Sequence, residues 1–169
     1  MSEQFLTLMA DLDEKSQIHM AKWYEVLQKE GFTGAQTPGL PYHISLATYP
    51  LEKENEVEEQ VIKAASEFAP FELHFSHIGM FAGGKVVFAA PERTPALDEL
   101  QKACDLFPNP NYPWTPHATL ILDEPETISR ALPSAVKSFT PFMGTVTRLH
   151  LCAFWPTREI VSIELKGSR

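Results

Sequence analysis

Four residues of this chain have the types and spacing to do chemistry together. His43 and Ser45 stand in "PYHISL" (residues 41–46), and His117 and Thr119 in "PHATL" (residues 116–120). Along an extended segment side chains alternate faces, so each imidazole shares a face with the hydroxyl two positions on. Ile44 and Leu46 then point behind the first pair, and Ala118 and Leu120 behind the second. Two imidazoles across one cleft suit metal-free phosphodiester chemistry. One, neutral, takes a proton from an attacking water or hydroxyl, while the other, protonated, gives one to the leaving oxygen. An ordinary histidine pKa of about 6.5 makes both forms accessible near neutrality. Ser45 and Thr119 can donate hydrogen bonds to the non-bridging phosphate oxygens, where charge develops.

Such a pair needs two strands brought face to face, and the chain carries a repeat that would do this. Each motif follows a Pro-containing loop, "FTGAQTPGLP" or "PNPNYPWTP", and precedes a helical stretch. Each helix then runs into a similar tetrapeptide, "FAPF" (68–71) or "FTPF" (139–142), that opens a strand hairpin. Two related lobes facing each other are the economical explanation.

The remaining elements fit that plan. "FLTLMADL" (5–12) reads as a buried strand. Met20, Trp23, Tyr24 and Leu27 recur at helical spacing between Glu14 and Glu30, with Gly31 as the stop. Val57, Val61, Ala64 and Phe68 form a second stripe, and Leu97, Leu100, Cys104 and Phe107 a third. "FELHFSHIGMFAGGKVVFAAP" reads as two strands around Ala82, Gly83 and Gly84. "PETISRALPSAVKSF" is helical in pattern, although Pro133 is expected to break or kink it. "GTVTRLHLCAFW" and "REIVSIELKG" form a last antiparallel pair across Pro156 and Thr157. The expected order is βαβαββα followed by βαββ.

The paired "HISL" (43–46) and "HATL" (117–120) resemble the two-histidine phosphoesterase superfamily, which includes the 2'-5' RNA ligase and cyclic phosphodiesterase families. Gly79 and Phe81 are similar to the family's Gly-x-Phe strand pair. The resemblance covers most of the chain. It implies an α+β, bilobal duplicated fold: two antiparallel-rich sheets line a central cleft, with helices outside. Residues 1–169 then form a single domain of two pseudo-symmetric lobes, each contributing one histidine strand. It implies His43 and His117 as the catalytic pair and Ser45 and Thr119 as phosphate partners, without metal or cofactor. The expected function is a metal-independent phosphoesterase acting on 2',3'-cyclic or 2'-5' phosphodiester bonds of small nucleotides or RNA ends. A non-catalytic module binding nucleotides or RNA ends in the same cleft is the alternative.

Other residues carry less. Tyr42 and Trp114 flank the motifs and are candidate substrate-binding residues, since a base stacks on any aromatic platform. Phe81 and Trp155 can serve similarly, but core packing suits them at least as well. Arg148, Arg158 and Lys85 are candidate phosphate clamps, with plain surface charge the simpler reading. His74 and His77 are spaced to fall on opposite faces of a strand, which disfavours a shared metal. His19 and His150 lack a companion motif and read as structural, although one of His74, His77 and His150 can still reach the cleft.

Composition bounds the rest. With 169 residues and 44% apolar content the chain can bury one core, and its formal charge of -8 disfavours long duplex nucleic acid. Cys104 and Cys152 are too far apart and too few for a disulfide framework or a zinc ribbon, and read as buried apolar groups. The opening "MSEQFLTLMADLDEKSQ" has no basic n-region or cleavage site, and no segment approaches the length needed to span a bilayer. A cytoplasmic monomer without membrane partners is the expectation.

Overall fold

A computed structural model describes residues 4–111 and 113–169. Met1 to Glu3, at the head of the opening stretch, and Tyr112, in the second loop, lie outside the described residues. Four helices and seven strands follow in the expected order: β1 (Phe5–Leu12), α1 (Glu14–Lys29), β2 (His43–Pro50), α2 (Glu54–Glu67), β3 (Phe71–Met80), β4 (Val86–Pro91), α3 (Pro95–Cys104), β5 (Ala118–Leu122), α4 (Pro125–Ser138), β6 (Phe142–Phe154) and β7 (Arg158–Glu164). A single 3-10 turn, Leu51–Lys53, precedes α2.

All strand pairings are antiparallel, and the sheet runs β2-β1-β6-β3-β4-β5. This order is unchanged when it is read from the other end with β1 exchanged for β4, β2 for β5 and β3 for β6. The strand β6 makes the join. Its first residues pair with β3, whereas the rest pair with β1 on one side and β7 on the other. The two expected strand sets are therefore continuous through one long strand.

Local sequence explains most element boundaries. Asp13 caps α1 by accepting from the Ser16 amide, and Thr94 caps α3 by accepting from the Leu97 amide, with Pro95 in the first turn where its missing N–H costs nothing. Ser16, Met20, Trp23 and Leu27 form the buried stripe of α1, and Val57, Val61, Ala64 and Ala65 that of α2. α1 packs against α4 and α2 against α3. One core cluster joins these helices to Leu6, Leu8 and Ala10 of β1, to Ile44 and Leu46 of β2, and to Ala118 and Leu120 of β5. The helices thus cover one face of the sheet, and the alternate residues of β1, β2 and β5 are presented on the other.

Three local expectations need correcting. α4 runs through Pro133 without a break, because Pro133 and Ser129, whose carbonyl loses its partner, both lie on the exposed side. Phe107 lies beyond α3, which ends at Cys104, and packs against Tyr49 instead. His74 and His77 share a face, because the ladder between β3 and β4 shifts register between Phe75 and His77 and the extra residue resets the alternation. Each keeps its own partner: His74 Nδ1 is 3.3 Å from Glu92 and His77 Nδ1 is 2.9 Å from the Ser76 hydroxyl. Among the described residues no group of three or more His, Cys, Asp and Glu side chains is arranged to hold a metal ion, and no helix is long and apolar enough to cross a membrane.

Candidate active site

The backbone just ahead of β2 is held by α1. The Gln17 amide accepts from the Tyr42 N–H at 2.6 Å and donates to the Tyr42 and Leu12 carbonyls at 2.8 and 3.1 Å. This clamp fixes the start of β2, so that Ile44 and Leu46 enter the core and His43 and Ser45 take the opposite face. β5 is fixed from its open edge. The Ala35 amide donates to the Leu122 carbonyl at 2.6 Å, and the Leu122 amide to the Gln36 side chain at 3.1 Å. Gly34 allows this approach: its φ is +77°, and a Cβ there would stand 2.8 Å from Ile121.

The two histidines are held alike. His43 Nδ1 lies 2.7 Å from the Pro41 carbonyl oxygen, and His117 Nδ1 lies 2.8 Å from that of Thr115. A carbonyl only accepts, so Nδ1 carries the proton in both rings, and Nε2 is the basic nitrogen of each. Burial is the main influence on both and pushes each below the ordinary histidine range, against the carbonyl contacts that favour the charged form. His43 also feels His117, whose charge opposes its own protonation. His117 stands one residue before β5, in the loop end, where the sequence placed it on the strand.

An aromatic pair supports His117. The Phe81 ring meets it edge-on with centroids 4.7 Å apart, and Phe88 lies 5.2 Å from it. Phe88 in turn covers Gly79, its cross-strand partner, where a Cβ would stand 2.3 Å from the ring. Gly79→Val is therefore expected to push Phe88 into His117 and lower kcat/KM at least about tenfold, since small misplacements of reacting groups are costly. Unchanged turnover with a displaced Phe88 would remove this supporting role; kinetics and a crystal structure of the variant decide it.

His43, Ser45 and Thr119 line a cavity of about 840 Å³. Tyr42 lines it as well, and burial pushes its phenol up to about 12, so the hydroxyl stays a donor at any working pH. Trp155, 58% exposed, forms part of the wall and donates from Nε1 to the Thr37 hydroxyl at 3.1 Å. Trp114 has another task. Its Nε1 donates to the Ser45 carbonyl at 2.9 Å while Arg93 covers its ring, so it ties the loop before β5 to β2; neither Trp114 nor His117 is among the residues that line this cavity. Phe81 supports His117 as described above. The candidate clamps are committed elsewhere: Arg148 to Ser162 and Glu164, Arg158 to Glu54, and Lys85 to Glu124.

A buried polar cluster sits beside His43 that the motifs did not announce. Asp11, 5% exposed, is the cross-strand partner of His43 on one side and of Arg148 on the other. His150, 6% exposed, places Nδ1 3.3 Å from Asp11 Oδ2, in ion-pair contact without hydrogen-bond alignment, and Nε2 2.9 Å from Glu159. Asp11 first, and Glu159 with it, hold the His150 imidazolium above the ordinary range despite its burial. Cys152 lies 3.3 Å from His150, but burial pushes its thiol up to about 11, so it is no nucleophile. Cys104 is buried too. His19 is structural: it contacts the Thr140 carbonyl and packs on Phe142.

Comparison with known proteins gives a family from its sequence profile and a fold from solved structures. A sequence profile of the 2'-5' RNA ligase superfamily matches residues 13–154. No curated protein sequence matches at a significant level. Among solved structures, E. coli LigT in its apo form superposes with a TM-score of 0.67 at 20% identity, covering 98% of this chain and 100% of its own. LigT complexed with 3'-AMP gives 0.67 at 19%, and TT0787 of Thermus thermophilus gives 0.71 at 16%, each with the same coverage. At these identities the structures establish a shared fold.

Proposed function

Because the chain belongs to the 2'-5' RNA ligase superfamily, we propose that it is a metal-independent phosphoesterase acting on 2',3'-cyclic or 2'-5' phosphodiester bonds of small nucleotides or RNA ends. The observation that carries this reading is the matched pair of imidazoles. His43 and His117 are each held through Nδ1 by the carbonyl two residues before, and each is followed two residues later by a hydroxyl that lines the cavity. The reversible order of the sheet supports the two-lobe reading of residues 1–169.

In the reaction, Nε2 of the neutral imidazole removes a proton from water as its oxygen bonds to phosphorus. The bond from phosphorus to the leaving ribose oxygen breaks, and the other imidazolium delivers its Nε2 proton to that oxygen. Ser45 and Thr119 donate to the non-bridging oxygens as negative charge builds there. A bound phosphate favours a proton on the histidine beside it and offsets the effect of burial. The pair is near-symmetric, so substrate orientation sets which ring acts as base. The crystallised complex of LigT with 3'-AMP supports a nucleotide as occupant of this cleft.

The test uses purified protein, 2',3'-cyclic nucleotides and 2'-5' linked dinucleotides in excess EDTA, with products resolved by chromatography. Turnover that persists in the chelator is expected. Activity lost to EDTA and restored by a divalent ion would sink the metal-free mechanism, and tight binding without turnover would mark a binding module instead.

A further inference from the structure

The cavity beside His43 is walled by neutral groups. Its polar side chains beyond the motif residues are the amides of Gln28 and Gln36 and the hydroxyls of Thr7, Tyr24, Thr33 and Thr37, and its apolar surface includes Phe154 and Trp155. Apart from His43, none of the described lining residues carries a titratable charge near neutrality. The arginines are engaged: Arg93 with Asp98, Arg148 with Glu164, Arg158 with Glu54, Arg169 with Glu67, and Arg130 over the Phe32 ring. Beside His43, the buried carboxylate of Asp11 is itself paired with His150.

We infer that this cavity selects substrates whose only negative charge is the reacting phosphodiester, attached to an uncharged aromatic group. The inference rests on the phosphoesterase reading above and narrows it. The reacting phosphate meets two imidazoles and two hydroxyls. A second phosphate, carried elsewhere on the nucleoside, would enter a wall that offers amides, hydroxyls and rings but no cation. Burying a charge without a partner is costly, and the net charge of -8 adds repulsion. An uncharged base is suited to the same wall, because amides and hydroxyls satisfy its polar edge and aromatic rings its faces. Nucleoside 2',3'-cyclic monophosphates fit this description. Nucleotides with an additional terminal phosphate do not.

The test compares adenosine 3'-monophosphate with adenosine 3',5'-bisphosphate by calorimetric titration at low salt, alongside kcat/KM for adenosine 2',3'-cyclic phosphate with and without a 5'-phosphate. The 5'-phosphate is expected to weaken binding and kcat/KM by about tenfold or more. Gln28→Lys, which brings a cation to the rim, is expected to recover most of the loss for the bisphosphate relative to the monophosphate. Equal or tighter binding of the bisphosphate by the wild-type protein overturns the inference, as does failure to bind either nucleotide. If the monophosphate is preferred while no cyclic phosphate is opened, the charge selection stands and the catalytic reading fails.

Discussion

Replacing either His43 or His117 by alanine is expected to lower kcat/KM for a 2',3'-cyclic nucleotide by about 10² to 10⁴-fold, the range for loss of one general acid or base. The double variant is expected to be little worse than either single one, because groups acting in one proton-transfer event do not contribute additively. Folding is expected to survive, since both histidines are half-buried and the strands that carry or follow them are anchored by Ile44, Leu46, Ala118 and Leu120. Unchanged thermal transitions in the variants check that control. Ser45→Ala and Thr119→Ala are expected to cost less, because the facing imidazoles still meet the phosphate. An undiminished rate in His117→Ala would remove that residue from the chemistry.

The pH profile gives a sharper form of the same expectation. Catalysis needs one histidine neutral and the other protonated, a combination that is lost when both are protonated at low pH or both neutral at high pH. Burial lowers both histidines below the 6.5 of a free imidazole. The bell of kcat/KM against pH is therefore expected to peak on the acid side of 6.5, with rate falling at neutrality as the general acid loses its proton. Either single alanine variant is expected to lose one limb of the bell. A plateau extending through pH 8 in the wild-type protein contradicts the assignment.

The chain announces its site more fully than the frame behind it. Alternation along "HISL" and "HATL" is a local property, so the sharing of a face by His43 and Ser45 could be read without coordinates. The order of elements follows from stripes and turn residues in the same way. Register is different, because it is set by partners distant in sequence. No local pattern shows that Asp11 pairs with His43 and Arg148, or that His150 comes to Asp11 across β6. The bulge near Ser76, which turned His74 and His77 to one face, is equally silent in the alternation. Trp114 stood beside the motif and looked like a platform, yet its half-buried indole finds the Ser45 carbonyl, because an N–H drawn out of water needs a partner. A buried Asp with a histidine on an adjoining strand was present in the sequence, but nothing local tied the two together.

That hidden pair is expected to govern both stability and the chemistry in front of it. His150 holds its proton above the ordinary histidine range because of Asp11 and Glu159. A folded pKa raised above the unfolded one adds stability that is fully present below about 6.5 and is lost as pH rises through the folded value. Asp11→Asn removes the buried partner, so its destabilisation is expected to be greatest near pH 5.5, about 3 kcal/mol, with Glu159 keeping the loss at the low end for a broken buried pair. As pH rises through the folded value the difference should shrink, because a neutral His150 no longer needs the carboxylate. His43 and His117 act in the opposite sense, since their lowered pKa values cost stability as pH falls below 6.5; the His117 part is common to both proteins and cancels, while His43 without Asp11 adds to the loss at low pH, in the same direction as His150. The variant also changes catalysis. Around His43 stand Asp11, which favours its protonation, and His117 and His150, which oppose it, with Arg148 across from Asp11 and tied to Glu164. Of the two neighbours in the cluster Asp11 has the larger influence on His43, so its loss moves the acid limb of kcat/KM to lower pH. Thermal melts from pH 5.5 to 8.5 and the pH profile of the variant are the measurements. A pH-independent loss of stability with an unmoved acid limb would reduce Asp11 to packing; a shrinking loss with a shifted limb makes the buried pair a positioning element for His43.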